Sequence, residues 1–113
     1  MRVLILGGDG YLGWPTALYL SSKGHEVVSV DNYFRRSVCE ALGCEPAIPV
    51  AKLPIRAQVW RDISGIEITT IEGDVTNFDF VCETIRNTMP DTIVHYAEQP
   101  SAPYSMRGYQ EAK

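Results

Sequence analysis

Three glycines at a fixed spacing are the residues of this sequence best suited to chemistry. Gly7, Gly10 and Gly13 follow a continuous apolar run, Arg2–Leu6, and open a segment with helical periodicity. Gly7 permits a tight turn, Gly10 allows a pyrophosphate to approach the backbone, and Gly13 allows the helix to pack close to the sheet. The first N–H groups of that helix would bind the anion. By itself the triplet is only a flexible turn, but its context predicts a dinucleotide site.

A carboxylate downstream of the glycines completes the nucleotide pattern. Asp31 follows the second apolar run, Glu26–Val30, at the spacing from Gly13 expected for an acceptor of adenosine ribose hydroxyls. A carboxylate there repels a 2′-phosphate, so NAD is favoured over NADP. Arg35 and Arg36 complicate this interpretation, because arginine is the usual partner of a 2′-phosphate. They are either an exposed surface pair or contacts to the pyrophosphate or adenine of NAD.

Asp74 and Val75 follow a third strand-like run, Ile68–Glu72, at a position that borders the adenine in such folds. The carboxylate would accept a hydrogen bond from the adenine amino group, and the Val75 N–H would donate to a ring nitrogen. The alternative is a turn or helix-capping role for Asp74, which Thr76 or Asn77 could share. The sequence leaves both interpretations open.

The end of a fourth run, Thr92–Tyr96, is expected beneath the nicotinamide half of the cofactor. Ligands of open α/β sheets bind at the carboxyl ends of the strands, so Tyr96, Ala97 and Glu98 are assigned to the cofactor. A carboxylate such as Glu98 is costly in a cleft unless it is paired or used. His95 is better explained as a hydrogen-bonded interior residue than as a catalytic one.

Tyr109 and Lys113 form a Tyr-x-x-x-Lys pattern, which is the catalytic pair of short-chain dehydrogenases. We interpret it as a coincidence, because the functional pair lies on a helix after strand 5 and this chain reaches only strand 4. A Tyr and a Lys four residues apart often arise by chance on helix faces. No catalytic residue is therefore assigned to this chain.

The elements that must position these residues alternate between strand and helix, which predicts an α/β fold with a parallel, doubly wound Rossmann sheet in the order 3-2-1-4. Helices are predicted at Tyr11–Lys23, around Phe34–Leu42, around Pro54–Ile63, and where Phe78, Val81, Ile85 and Met89 share a face before Pro90. Residues from about 33 to 66 form a long insertion between strands 2 and 3, with a loop at Glu45–Pro54. Strand 4 would be an exposed apolar edge, so we expect this chain to be the N-terminal half of a larger NAD-binding domain. The alternative is a complete four-stranded domain.

Composition excludes several classes of protein. The 113 residues are 45% apolar and 21% charged, with a net charge of −4, which argues against a non-specific nucleic-acid binder. No apolar stretch reaches the roughly 18 residues of a membrane span. Cys39, Cys44 and Cys82 lack zinc-ligand spacing, so no metal is expected. Because the first strand begins at residue 2, we expect no signal or transit peptide and a cytoplasmic location.

These motifs together resemble the extended short-chain dehydrogenase/reductase family, whose members modify nucleotide sugars. The resemblance is closer to the members that build a sulfonated sugar nucleotide, through Asp31-Asn32, Val59-Trp60-Arg61 with Gly65, and the run Glu98–Met106. Pro100 is a departure, because an arginine suited to the sugar nucleotide or sulfite is expected there. The assigned cofactor residues are Gly7, Gly10, Tyr11, Leu12, Gly13, Asp31, Asn32, Arg35, Arg36, Asp74, Val75, Tyr96, Ala97 and Glu98, and the assigned substrate residues are Gln99, Ser101, Tyr104 and Met106.

The resemblance implies NAD as cofactor and UDP-glucose and sulfite as substrates. It implies oxidation at sugar C4, loss of water from C5–C6, addition of sulfite at C6 and reduction at C4, with a homodimeric enzyme. A catalytic Thr and a Tyr/Lys pair are expected beyond Lys113, so this fragment alone would be inactive. The alternatives are another NAD-dependent nucleotide-sugar enzyme, such as a 4-epimerase or 4,6-dehydratase, and a non-catalytic dinucleotide-sensing module.

Overall fold

A four-stranded parallel sheet with helices on both faces forms the framework of the chain. The computed structural model describes residues 1–33, 43 and 51–97. Its elements are β1 (Arg2–Leu6), α1 (Gly13–Ser22), β2 (Glu26–Asp31), α2 (Leu53–Ser64), β3 (Ile68–Glu72), α3 (Phe78–Thr88) and β4 (Thr92–His95). The strand order is β3-β2-β1-β4, and every pairing is parallel. The predicted Rossmann-like fold is confirmed.

The two central strands carry the core because helices cover both of their faces. On one face Val3, Ile5 and Val27 pack with Ala17 of α1 and Ala57 of α2. The opposite face holds a second cluster, Leu4, Leu6, Val28 and Val30, against which Phe80 of α3 packs. Continuous apolar runs are the expected signature of parallel strands buried on both faces. This core fixes the carboxyl ends of β1 and β2, where the nucleotide motif lies.

Local capping explains the bounds of the two later helices. Pro54 lies in the first turn of α2, where its missing N–H costs nothing, and Gly65 ends the helix in a left-handed conformation with φ of 76°. The side chain of Asn77 begins α3 by accepting a hydrogen bond from the Phe80 N–H at 3.1 Å. The helix ends at Met89, which also has a positive φ, and Pro90 follows.

Several bounds differ from the sequence-based expectation. Helix α1 starts at Gly13 rather than Tyr11 because the two preceding residues belong to the turn, and β4 ends one residue early, at His95. Strand β2 extends through Asp31, which pairs with Glu72 of β3. The helix expected around Phe34–Leu42 and most of the loop expected at Glu45–Pro54 lie outside the described residues.

Helix α3 presents its apolar face differently from the expectation. Phe78 is 78% exposed and Met89 is 72% exposed, although periodicity placed both on the face expected to pack. The helix instead contacts the sheet through Phe80, with Thr84 also buried. The described part of the chain therefore leaves an apolar surface on the outer side of α3.

Candidate functional site

The glycine-rich turn after β1 lies tightly against the ends of the neighbouring strands. The N–H groups of Gly7 and Gly8 both donate to the carbonyl of Val30, at 2.7 and 3.0 Å. Gly7 has φ of 96°, and a Cβ added there would lie 2.7 Å from the carbonyl carbon of Tyr96. A side chain at this position would therefore collide with the residue that follows β4. Glycine is required here for both the turn and the close approach.

Gly13 brings the first turn of α1 against the same loop. A Cβ at Gly13 would lie 2.1 Å from the Gly7 carbonyl oxygen, so the close approach is to the loop itself rather than to the sheet. The side chain of Leu12 does not cap the helix, and the first turn carries no acidic residue. The first N–H groups of a helix lack acceptors within it. This helix start can therefore receive an anion. The backbone is close at Gly10, where an added Cβ would lie 3.3 Å from the Gly7 carbonyl oxygen, a tight contact without a collision.

The Asp31 carboxylate lies next to the glycine loop and is held there by backbone donors. Its Oδ2 accepts a hydrogen bond from the Asp9 N–H at 2.8 Å, and its Oδ1 accepts one from the Tyr33 N–H at 2.8 Å. Partial burial raises the pKa of Asp31 above its ordinary value, and the nearby Asp9 carboxylate acts in the same direction, whereas the backbone donors oppose the shift. A carboxylate has about four acceptor sites in all, so these backbone donors leave capacity for a ribose hydroxyl. Asn32 beside it is exposed.

Tyr33 is a site residue that the sequence did not indicate. Its φ is 58°, an uncommon conformation for a bulky residue, and its side chain is buried. The ammonium group of Lys52 lies 4.9 Å from the centre of its ring. This strained conformation directs the Tyr33 N–H to Asp31, and strain of this kind tends to occur at functional sites. A backbone dihedral angle leaves no pattern in the sequence that could have revealed it.

Asp9 and Arg56 were also missed, because their pairing joins positions 47 residues apart. Arg56 of α2 forms an ion pair with the Asp9 carboxylate within the glycine loop. Its guanidinium also lies 4.9 Å from the ring centre of Trp14. The long segment between β2 and β3 thus contacts the nucleotide loop directly.

Asp74 adopts the local role that the sequence left open as an alternative. Its Oδ1 accepts hydrogen bonds from the Thr76 N–H at 2.9 Å and the Thr76 hydroxyl at 2.8 Å, while Asn77 caps the helix. Among the described residues only this one oxygen of Asp74 is engaged, which leaves the other available to an adenine amino group. Val75 packs its side chain against the core cluster that contains Val30.

The residues that follow β4 lie against the glycine loop. This is the region where the sequence predicts the nicotinamide half of the cofactor. The Tyr96 N–H donates to the Leu6 carbonyl at 2.7 Å, and Ala97 packs against the core. His95 is exposed, and its Nδ1 accepts a hydrogen bond from the Ala97 N–H at 3.2 Å. The expectation of an interior position for His95 is wrong, because β4 is an edge strand with nothing packed beyond it among the described residues.

The remaining assigned residues lie outside the described part of the chain. They are Arg35, Arg36, Glu98, Gln99, Ser101, Tyr104, Met106 and the pair Tyr109 and Lys113. Within residues 1–33, 43 and 51–97, no three His, Cys, Asp or Glu side chains are grouped to hold a metal ion. None of the helices described is long and apolar enough to cross a membrane.

A parallel sheet in the order 3-2-1-4, with a glycine turn before the first helix and an acidic residue at the end of β2, defines a Rossmann-like α/β protein. The chain matches the model of the "NAD dependent epimerase/dehydratase family" over residues 3–111, and it belongs to this family.

Among characterised relatives, the chain resembles two UDP-sulfoquinovose synthases. It is 46% identical over 105 residues to the chloroplastic enzyme of Spinacia oleracea and 45% identical over 106 residues to that of Sulfolobus acidocaldarius. These matches cover 93% and 94% of this chain but 22% and 27% of the relatives, so the chain spans about a quarter of their length. The expected resemblance to the enzymes that build a sulfonated sugar nucleotide is confirmed. A UDP-glucose 4-epimerase of Klebsiella pneumoniae is 33% identical over 97 residues, which are 86% of this chain and 58% of the relative.

Solved structures support the fold. UDP-glucose 4-epimerase from Bifidobacterium longum, in complex with NAD+ and UDP, superposes with a TM-score of 0.69 at 23% identity, covering 98% of this chain and 30% of that one. The Bordetella bronchiseptica enzyme WbmG, in complex with NAD and UDP, gives a TM-score of 0.57 at 28% identity, covering 87% of this chain and 25% of that one.

Proposed function

We propose that this chain binds NAD through the glycine turn, the start of α1 and Asp31. The observation that carries the proposal is the position of the Asp31 carboxylate beside the glycine turn, whose Asp9 N–H donates to it at 2.8 Å. Gly7 and Gly13 permit this turn, because a Cβ at either position would collide with neighbouring backbone. Membership of the NAD dependent epimerase/dehydratase family supports the choice of dinucleotide. The pyrophosphate would lie at the N–H groups of the helix start, beside Gly10, Tyr11 and Leu12.

The adenosine half of NAD would lie beyond the end of β2. There Asp31 accepts hydrogen bonds from the ribose hydroxyls, and its negative charge disfavours a 2′-phosphate. Asp74 would accept from the adenine amino group through its unengaged oxygen. The nicotinamide half would extend toward Tyr96 and Ala97, whose backbone lies against Gly7.

For the whole protein we propose the synthesis of UDP-sulfoquinovose from UDP-glucose and sulfite. Identities of 46% and 45% to two such synthases, against 33% to a UDP-glucose 4-epimerase, support this choice. Bound NAD would supply reversible oxidation at sugar C4, which acidifies the C5 proton and so permits water to leave from C5–C6 before sulfite adds at C6. The part of that reaction that falls to this chain is to bind the dinucleotide and orient it at the carboxyl ends of the strands.

The rest of this proposal concerns residues outside the described part of the structure and residues expected beyond Lys113. Gln99, Ser101, Tyr104 and Met106 would form one wall of the sugar pocket. A Thr and a Tyr/Lys pair beyond Lys113 would act at the C4 hydroxyl, so the 113 residues alone would be inactive. A homodimer in the cytoplasm remains our prediction for the protein.

The test is to incubate the purified full-length protein that carries these residues with NAD, UDP-glucose and sulfite, and to analyse the sugar nucleotides by mass spectrometry. A sulfonated sugar nucleotide that forms only with sulfite supports the synthase. Sulfite-independent conversion of UDP-glucose to UDP-galactose would instead identify a 4-epimerase, the activity named for the 33% relative. Conversion to a dehydrated keto sugar would identify a 4,6-dehydratase. NAD binding without any conversion would favour a sensing module.

A further inference from the structure

We propose that Arg56 is a positioning residue of the nucleotide site, which holds the Asp9 backbone where it fixes the Asp31 carboxylate. Arg56 belongs to α2, in the long segment between β2 and β3, and not to the glycine motif. The proposal rests on the proposed NAD site and assigns part of that site to the segment before β3.

The first step is the anchoring of the Arg56 guanidinium. Its Nη2 forms the ion pair with Asp9 Oδ1, and its Cζ lies over the Trp14 ring, 4.9 Å from the ring centre. The side chains are largely buried, 17% exposed for Arg56 and 6% for Asp9. A guanidinium suits this position because it can pair with a carboxylate and stack on an aromatic face at the same time.

The second step leads from Asp9 to the ribose-binding carboxylate. The Asp9 side chain is held by Arg56, and the Asp9 N–H donates to Asp31 Oδ2 at 2.8 Å. One residue thus joins the guanidinium to the acceptor of the ribose hydroxyls. A shift of the Asp9 backbone would move this donor and let the Asp31 carboxylate rotate.

The third step is the charge balance of this cluster. Asp9 and Asp31 are neighbouring carboxylates in a partly buried site, and the NAD pyrophosphate would add negative charge nearby. Without Arg56, one largely buried carboxylate loses a cationic partner, which is costly because a buried charge needs compensation. Breaking the pair should therefore displace Asp9 toward solvent and disturb the loop on which NAD rests.

The experiment is a double-mutant cycle in the full-length protein, with NAD affinity measured by titration calorimetry. Arg56→Met keeps an unbranched apolar stem against Trp14 but removes the charge. We expect it to weaken NAD binding about tenfold, which corresponds to about 1.4 kcal/mol. Arg56→Lys, which keeps the charge without the planar fork, should restore part of this loss. Arg61→Met, an exposed arginine on the same helix, should bind NAD as the wild type does.

The cycle separates positioning through Asp9 from a general effect on folding. In an Asp9→Asn background Arg56 has lost its ion-pair partner, so Arg56→Met should change NAD affinity by less than about twofold, the non-additivity expected of residues in direct contact. An equal loss in both backgrounds, or no loss in the Arg56→Met single variant, would overturn the proposal. If that variant does not fold, the double variant takes its place and must bind NAD as tightly as Asp9→Asn does. A wild-type protein that binds no NAD would refute the proposed function itself, and with it this inference.

Discussion

The centre of the sheet and its β4 edge present their apolar residues in opposite ways. Leu4 and Ile5 of β1 are fully buried, whereas Ile93 of β4 is 45% exposed and α3 turns Phe78 and Met89 outward. The centre also carries the glycine turn and Asp31, which are joined by hydrogen bonds from the N–H groups of the turn to Val30 and Asp31. The comparison teaches that the adenosine side of the proposed site is assembled by β1, β2 and the helices above them. The β4 side exposes apolar side chains, and exposed apolar patches of this kind are typical of surfaces that pack against other residues.

The largest difference in stability is expected between a truncation at the centre of the sheet and one at the β4 edge. Leu4→Ala should lower the free energy of unfolding by about 2–5 kcal/mol, because it opens a cavity in a packed core. Ile93→Ala should change it by less than about 0.5 kcal/mol in the 113-residue chain, as surface substitutions do. Chemical denaturation measures both values.

The same pair of variants tests whether the domain continues past β4. In a longer protein whose following residues cover this strand, Ile93→Ala should become as costly as a core substitution. An equally small cost in the 113-residue chain and in the full-length protein would mean that the β4 edge is an ordinary surface. That outcome would contradict our proposal that these residues are one half of a larger domain.

Asp31→Ala probes the functional part of the central region. The ribose hydroxyls would lose a charged acceptor, and such hydrogen bonds contribute about 1.5–3 kcal/mol, so NAD affinity should fall roughly tenfold to a hundredfold. Titration calorimetry with the full-length protein measures this loss. Asp62→Ala, which changes an exposed carboxylate of α2, is the matched control and should leave the affinity unchanged. Equal affinities of the Asp31 variant and the wild type would refute the assignment.

Two glycine substitutions separate the framework of the loop from its contact with the nucleotide. Gly13→Ala should destabilise the protein by about 1–3 kcal/mol, because its Cβ would overlap the Gly7 carbonyl and overpacking costs this much. Gly10→Ala meets no atom closer than 3.3 Å, so it should keep most of the stability while hindering the pyrophosphate. Thermal unfolding and NAD titration of both variants test this division. A Gly10→Ala protein with unimpaired NAD binding would place the pyrophosphate elsewhere.

The sequence predicted the central region well because its signals are local. The run Arg2–Leu6 matches β1 residue for residue, since an unbroken apolar run bounded by turn residues fits a buried strand and little else. The run Ile68–Glu72 likewise matches the edge strand β3. The glycine spacing then fixed where the first helix had to begin to within two residues. The strand order followed from the alternation of strands and helices.

What the sequence could not supply depends on distant contacts and on backbone angles. The pairing of Asp9 with Arg56 joins a turn to a helix of another segment, and no spacing rule links the two. The positive φ of Tyr33 accompanies the hydrogen bond from its N–H to the Asp31 carboxylate, and no preference of tyrosine favours it. For α3, periodicity correctly placed Phe78 and Met89 on one face, but it does not state which face the sheet will bury.

The smallest effect we predict is a pH dependence of stability and of NAD affinity that arises from Asp31 in the central region. Burial raises the pKa of Asp31 above its ordinary value of 3.8, so the folded protein holds this proton more tightly than the unfolded chain does. The contribution of Asp31 to stability is therefore fully present below about pH 4 and is lost as the pH rises through the raised pKa. As the pH rises through the raised pKa, the unfolding free energy of the wild type should therefore fall relative to that of Asp31→Ala. NAD binding should show the opposite trend, because ribose hydroxyls donate to the charged carboxylate, so affinity should fall as the pH drops through the same pKa. Unfolding and NAD titrations at matched pH values measure both trends, and parallel slopes for stability and affinity would show that Asp31 is not the group that links them.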